Sequence, residues 1–256
     1  MDFDDPAQRR VFFELHCDLP REGPGNRAST LRALGLTPCA GAARPLRVVD
    51  AGCGPGGQTI DLAQALPSAH ILALDLHEPF LLDLRQRAIV AGVADRIEAR
   101  RIDMRAIDLP AGSVDLLWCE GAIYFLGVEP ALRTWHPLLA PGGCVAFSES
   151  VWLQPDPPPM ARRNWAEYPE MTDVAGVCER VAAAGFELLG DFVQPRDAWW
   201  DDYYGPLQLR VDALAPRYAG DPVARTVVEE AAFEIEAWRR CGDSYGNAFF
   251  VARAAR

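Results

Sequence analysis

Val48-Val49-Asp50-Ala51-Gly52-Cys53-Gly54-Pro55-Gly56-Gly57-Gln58-Thr59 is the most informative stretch of this chain. Two β-branched residues followed by Asp50 read as the end of a buried strand. Gly52, Gly54, Gly56 and Gly57 then read as a tight turn, and Gly57 onward, through Gln58, Thr59 and Leu62, opens a helix. A strand, a glycine loop and a helix together form the cradle on which α/β folds hold a nucleotide-like cofactor. Glycine suits such a loop because the backbone must turn sharply and approach the ligand where a Cβ would collide. The first N–H groups of the helix are free to meet an anionic part of that ligand. The loop alone leaves the cofactor open. Gly52, Gly54 and Gly57 satisfy the dinucleotide pattern G-x-G-x-x-G, while Asp50, Gly52, Gly54 and Gly56 satisfy D-x-G-x-G-x-G.

The flanking sequence alternates strands and helices. Leu46 to Asp50 is a strand, Gly57 to Leu66 its helix, and His70 to Asp75 a second strand. Pro79 and Gly92 bracket a second helix as a first-turn proline and a C-terminal glycine should. Arg96 to Ile102 and Val114 to Cys119 are further strands, and Glu129 to Leu139 is helical. Pro141-Gly142-Gly143 then turns the chain into the apolar strand Cys144 to Ser148. This alternation predicts a doubly wound, mainly parallel sheet of Rossmann-like type. Beyond it, four prolines between Gln154 and Pro159 predict a flexible or polyproline-like connection. Val174 to Ala184 and Asp221 to Arg240 read as helices, and Phe186 to Val193 and Ala248 to Ala252 as strands. The last of these is expected to run antiparallel. The domain expectation is a single unit over 1–256: an N-terminal helical segment at 1–44, a cofactor core at 45–150, and a cap with closing strands at 151–256.

At 256 residues the chain can bury a sizeable core. A formal net charge of −11 argues against a nucleic-acid backbone as partner. Arg96, Arg100 and Arg101 form one local basic cluster, read as a solvated surface near a strand start. No apolar run reaches the roughly 18 residues of a membrane helix, and Met1 to Pro6 lacks the features of a signal peptide. The expectation is therefore a cytoplasmic protein. Seven cysteines show no C-x-x-C pair and no zinc spacing, so free thiols and no metal are expected. All 25 basic residues are arginine. Without a lysine there is no Schiff-base chemistry, no lysine base and no phosphate-loop lysine.

Asp75 ends the second strand, where an acidic side chain can accept both hydroxyls of a ribose, a role common to NAD and S-adenosylmethionine (SAM) sites. Three later segments favour SAM. Arg101-Ile102-Asp103-Met104 is followed by Leu109-Pro-Ala-Gly-Ser-Val-Asp115, Cys119-Glu120-Gly-Ala-Ile-Tyr124 follows a strand, and Leu138-Leu-Ala-Pro-Gly-Gly143 precedes one. With the D-x-G-x-G-x-G loop, these segments make residues 45–150 resemble the class I SAM-dependent methyltransferases. Leu19-Pro-Arg-Glu-Gly-Pro-Gly25, Glu120 to Gly127 and Trp199-Trp-Asp-Asp-Tyr203-Tyr204 extend the similarity to a bacterial subgroup of small-molecule methyltransferases with no agreed acceptor.

The resemblance implies SAM as cofactor. It implies contacts from Asp50, Gly52, Gly54, Gly56, Gly57, Gln58 and Thr59 at the first loop, and from Asp75 with Leu76 at the ribose. Asp103 with Met104 would meet the adenine, and Cys119 with Glu120 the methionine end. Tyr124 and Glu120 are the expected catalytic residues, Glu120 more as a holder of the cofactor's amino end than as a base. The tail aromatics Trp152, Trp199, Tyr203 and Tyr204, together with Tyr124, are expected to shape the acceptor pocket, where aromatic faces would suit an apolar, planar or cationic molecule. Ordinary packing of a helical cap is the competing reading for them. His77 is placed near the adenosine rim, His16 within possible reach of the site, and His136 in helix packing. The expected function is methyl transfer from SAM to a small molecule, without nucleic acid or membrane as partner. The alternatives are an NAD(P)-dependent oxidoreductase, which would leave Asp103, Glu120 and Pro141 to Gly143 unused, and a SAM-binding protein without turnover.

Overall fold

The structure, a computed structural model, describes residues 5–255. The sequence readings at Met1 to Asp4 and at Arg256 lie outside the described residues. One sheet organises the chain. Its strands are β1 (Leu46–Ala51), β2 (Ala69–Asp75), β3 (Ile97–Arg101), β4 (Val114–Cys119), β5 (Leu139–Trp152), β6 (Thr172–Asp173), β7 (Phe186–Val193) and β8 (Tyr245–Ala254). They lie in the order β3-β2-β1-β4-β5-β8-β7, and β6 pairs with the end of β5. All neighbours are parallel except those of β8, which runs antiparallel to both β5 and β7. The expected Rossmann-like sheet with a reversed last strand is therefore present.

Strict alternation along the central strands explains why both faces are covered. Val48, Leu116, Trp118, Cys144, Ala146, Phe249 and Val251 face one layer, with α2 (Arg27–Gly35), α3 (Gly57–Ala65) and α4 (Glu78–Val90). Val49, Leu117, Cys119, Val145, Phe147 and Phe250 face the other, with α5 (Val128–Trp135) and α7 (Val174–Ala183). A strand buried on both faces needs an apolar residue at nearly every position, which is how these segments read.

A third layer caps the C-terminal ends of the strands. It comprises α1 (Pro6–Leu15), α6 (Pro159–Asn164), α8 (Asp197–Trp199), a π-helical stretch at 200–204, α9 (Gly205–Tyr218) and α10 (Pro222–Cys241). Val11, Leu15, Trp199, Tyr203, Tyr204, Leu207, Val228, Ile235 and Trp238 form its own apolar cluster. Asp5, Asn26, Asp173 and Asp221 each cap a helix by accepting backbone N–H groups.

Three local expectations are corrected. The helix expected at Glu129 to Leu139 ends at Trp135, followed by a 3₁₀ turn over His136–Leu138. The carbonyls of Pro137 and Leu138 instead accept N–H groups from Gly112 and Ser113. Pro141-Gly142-Gly143 is not a turn before a strand but a bulge within β5. Val114 pairs with Leu139 and Leu116 with Cys144, so two steps on β4 face five on β5. Gly142 takes φ +80°, and a Cβ on Gly143 would lie 2.8 Å from the Val114 carbonyl. Pro159 belongs to α6, so the irregular connection stops at Pro158.

Candidate functional site

The sheet order reverses beside β1: the chain proceeds outward to β3, then returns to place β4 on the other side of β1. Loops leaving β1 and β4 diverge there, opening a crevice at the carboxyl ends of the strands where α/β folds bind ligands. A cavity of about 1180 Å³ occupies this crevice. That exceeds the roughly 300–1,000 Å³ typical of a small-molecule pocket, leaving room for two ligands side by side.

Each strand contributes at its C-terminal end. Gly52, Cys53 and Gly54 follow β1, and Asp75 to His77 close β2. Asp103 and Met104 follow β3, and Glu120 to Tyr124 follow β4. Asp75 is held in place: one carboxylate oxygen accepts the Gly54 N–H at 2.9 Å and the other accepts the His77 N–H at 2.8 Å. A carboxylate has about four lone-pair sites, so both oxygens keep capacity for a ligand's hydroxyls. Asp103 accepts the Arg105 N–H at 2.8 Å, and the Met104 carbonyl accepts Trp135 Nε1 at 2.9 Å, so α5 fixes the loop after β3.

The glycines of the first loop have different reasons. Gly54, at φ +52°, lines the cavity, and a Cβ there would touch Glu22 at 3.4 Å. Gly56, at φ +86°, faces away from the cavity, and its Cβ would lie 2.2 Å from Leu84 Cδ1 in α4. A Cβ on Gly57 would meet the Pro20 carbonyl at 3.0 Å. On the side a Cβ would take, Gly56 and Gly57 thus pack against protein. Gln58 does line the cavity, its amide donating to the Cys53 carbonyl at 3.0 Å.

Asp50, Thr59 and Cys119 are buried beneath the site rather than on its wall. Thr59 donates to Asp50 at 2.5 Å, tying α3 to β1. The second oxygen of Asp50 has no hydrogen-bond partner among the described residues. Burial raises the Asp50 carboxyl to about 7 and pushes the Cys119 thiol up.

Glu120 is not free to act as a base. One carboxylate oxygen accepts Arg21 at 2.8 Å; the other accepts Thr30 and Trp118 Nε1, each at 3.2 Å. Arg21 also reaches Asp61 at 2.8 Å, and this cluster is almost fully enclosed. Burial raises the Glu120 carboxyl, and the guanidinium opposes that shift. The pair with Arg21 makes Glu120, which also lines the cavity, an anchor joining the segment after α1 to β4. Tyr124 does line the cavity and is 44% exposed into it.

The aromatic residues expected at the acceptor pocket are elsewhere. None of Trp152, Trp199, Tyr203 and Tyr204 lines the main cavity. Trp199 stacks on Trp238, Tyr203 on Tyr204, and Trp152 meets Tyr245 edge to face. The Tyr204 hydroxyl donates to Glu234 at 2.8 Å. Their rings are consumed in building the cap. α1 supplies the rings that reach the cavity instead: Phe12 and Phe13, the latter stacked on His77 with centroids 3.5 Å apart. Burial lowers the His77 pKa. His16 donates to or accepts from Glu22 at 2.7 Å, and Glu22 lines the cavity. His136 meets Phe186 edge to face. Sequence reading missed Arg21, Glu22 and α1 as parts of the site, although Leu19 to Gly25 had stood out as a segment. Arg96 and Arg101 donate to the Leu66 and Leu76 carbonyls, and Arg100 pairs with Glu98, so the basic cluster forms no common face.

Residues 48–143 match the family model of a methyltransferase domain. The malonyl-[acyl-carrier protein] O-methyltransferase of Pseudescherichia vulneris is 38% identical over 109 residues, covering 42% of this chain and 40% of that protein. The trans-aconitate 2-methyltransferase of Methylobacterium nodulans is 33% identical over 158 residues, covering 61% and 56% respectively. The chain thus spans less than two thirds of the length of these relatives. A SAM-dependent methyltransferase from Geobacter sulfurreducens, solved with S-adenosylhomocysteine, superposes with a TM-score of 0.80 at 19% identity, covering 96% of this chain and 98% of that one. Residues 48–143 thus match a methyltransferase domain, and the chain shares the fold of SAM-dependent methyltransferases of known structure. Among the described residues no helix is long and apolar enough to cross a membrane.

Proposed function

We propose that this protein transfers a methyl group from SAM to a small-molecule acceptor. The observation that carries this reading is the cavity at the sheet's reversal point, which Asp75, the Gly52–Gly54 loop, Asp103 and Tyr124 all line. These residues fit the cofactor: an oriented carboxylate with spare lone pairs suits a ribose diol, and a loop without Cβ atoms on its cavity face admits a close ligand. Asp75 would hold the ribose, Asp103 and the Met104 amide the adenine, and Gly52 to Gly54 the methionine part.

When bound, SAM supplies a sulfonium-activated methyl group. The protein's task is then mostly alignment, holding the acceptor on the line of the breaking bond and excluding water. Phe12, Phe13 and His77 roof the cavity, and the Arg21–Glu120 pair locks the segment that carries Glu22 against β4. Tyr124 sits beside the expected position of the methyl group and is the candidate for orienting the acceptor.

Calorimetry with S-adenosylhomocysteine and with NADH tests the reading. S-Adenosylhomocysteine should bind and NADH should not, and SAM should be turned over to S-adenosylhomocysteine with a suitable acceptor. Binding of NADH without S-adenosylhomocysteine would reverse the assignment in favour of an oxidoreductase.

A further inference from the structure

The segment between α1 and α2 crosses the first glycine loop. Arg21 to Pro24 line the cavity together with Gly52, Cys53 and Gly54. Three close approaches fix where this segment lies. A Cβ on Gly57 would stand 3.0 Å from the Pro20 carbonyl, one on Gly54 would stand 3.4 Å from Glu22 Cγ, and one on Gly25 would collide with Glu120 Oε1. The Gly25 N–H donates to the Ala198 carbonyl at 2.8 Å, which ties the far end of the segment to the cap. The stem of Glu22 therefore lies against the turn after β1, the part of the loop assigned above to the methionine end of the cofactor.

Among the described residues four carboxylates line the cavity, and three are committed. Glu120 pairs with Arg21 at 2.8 Å and Asp103 with Arg105 at 3.2 Å. Asp75 accepts the Gly54 and His77 N–H groups and is assigned to the ribose. Glu22 differs. One of its oxygens lies 2.7 Å from His16 Nδ1, and the other has no hydrogen-bond partner among the described residues. Arg87 adds an attractive field at Glu22, but its guanidinium donates to the Leu19 and Pro20 carbonyls. His16 is buried and stacked on Phe12 with centroids 4.0 Å apart, so its ring is a fixed post for the Glu22 carboxylate. Burial raises the Glu22 carboxyl above its ordinary range, and the hydrogen bond to His16 opposes that shift. A cation arriving at Glu22 would remove part of the burial penalty.

Resting on the methyltransferase reading, we infer that Glu22 holds the α-ammonium group of the cofactor's methionine end, the role expected of Glu120 from sequence. Glu22 lies outside residues 48–143, the part that matches a methyltransferase domain. A hydrogen bond from an ammonium to a carboxylate is shorter and roughly twice as strong as one between neutral groups. Glu120 is poorly suited to this, because Arg21 already balances its charge and Thr30 and Trp118 occupy its second oxygen. Glu22 is a binding residue here and takes no part in bond making. By fixing the amino end of the cofactor, it sets how far the sulfur reaches along the Gly52–Gly54 loop, and with it the line of methyl transfer.

The test compares S-adenosylhomocysteine, which keeps the ammonium and lacks the sulfonium, with its deamino analogue, in which hydrogen replaces the α-amino group. Calorimetry on the intact protein should show S-adenosylhomocysteine binding about 10- to 150-fold more tightly, the range of a hydrogen bond to a charged group. Glu22→Gln keeps the length of the side chain. It should cut that ratio to about threefold or less, with affinity for the deamino analogue held within about twofold. Glu22→Ala is measured beside it, with thermal unfolding of each variant, so that one folding failure does not remove the comparison. A wild-type ratio of about threefold or less, or a variant that keeps the wild-type ratio, overturns the inference. Equal weakening of both compounds in a folded variant also overturns it, by moving Glu22 to the adenosine part. Absence of S-adenosylhomocysteine binding by the wild type removes the underlying reading instead, so the two failures are distinguishable.

Discussion

Replacing Asp75 with Asn keeps the side chain's shape and removes its charge. In the native site the carboxylate receives Gly54 N–H at 2.9 Å and His77 N–H at 2.8 Å, so both donors already point at acceptors. An amide can present only one oxygen; its NH2 group must then face a backbone N–H, donor against donor. The variant therefore loses one of these two hydrogen bonds and also an acceptor for the ribose. Leaving a buried hydroxyl or N–H without its acceptor costs about 1–3 kcal/mol. At 1.4 kcal/mol per tenfold, S-adenosylhomocysteine should bind about 5- to 140-fold more weakly. Calorimetric titration of wild type and Asp75→Asn measures this directly, with circular dichroism and thermal unfolding to show that the variant is folded. A folded Asp75→Asn protein that binds S-adenosylhomocysteine as tightly as wild type would refute the assignment of the ribose to Asp75.

Arg21→Met should destabilise the fold by about 3–5 kcal/mol in urea unfolding, because the enclosed Glu120 loses its cation while Asp61 keeps only Arg27; a loss below about 1 kcal/mol would contradict the enclosed ion cluster. Gly56→Ala should cost about 1–2 kcal/mol for the left-handed backbone and about 1–3 kcal/mol more for the clash with Leu84. Adding Leu84→Ala should relieve the clash, so strictly additive losses in the double variant would count against it. Asp50 is expected to make stability fall as pH rises. Its carboxyl titrates near 7 when folded and at 3.8 when unfolded, so the native state holds the extra proton between those values and its advantage disappears towards pH 7. The change in stability caused by Asp50→Asn should accordingly be more favourable at pH 7.5 than at pH 5; the same value at both would show that the side chain is not strained by burial.

The strand, glycine loop and helix at 46–65, the alternation that follows, and the placement of Asp75 and Asp103 at strand ends were legible from sequence alone. Those features are local: period-two apolar patterning, a glycine-rich turn and helix boundaries are set by residues within a few positions of one another. The relative roles of the four loop glycines were not legible, because only α4 and the Leu19 to Gly25 segment reveal that Gly56 and Gly57 face protein rather than cavity. The bulge in β5 was equally hidden, since Pro141-Gly142-Gly143 has the composition of a turn and only pairing with β4 keeps it within the strand.

Tertiary structure alone determined the chemistry of the site's far end. Glu120 looked available in sequence, yet Arg21, 99 positions away, occupies it. Trp199, Tyr203 and Tyr204 looked like pocket residues, yet α1 and α10 enclose them. Glu149 passed unnoticed in an apolar strand, and only the fold buries it with one oxygen unpartnered among the described residues. The physical reason is common to all three. A sequence pattern records which side chains are polar or apolar along one element. Whether a given carboxylate is paired, exposed or left buried without a partner depends on groups brought to it from distant parts of the chain.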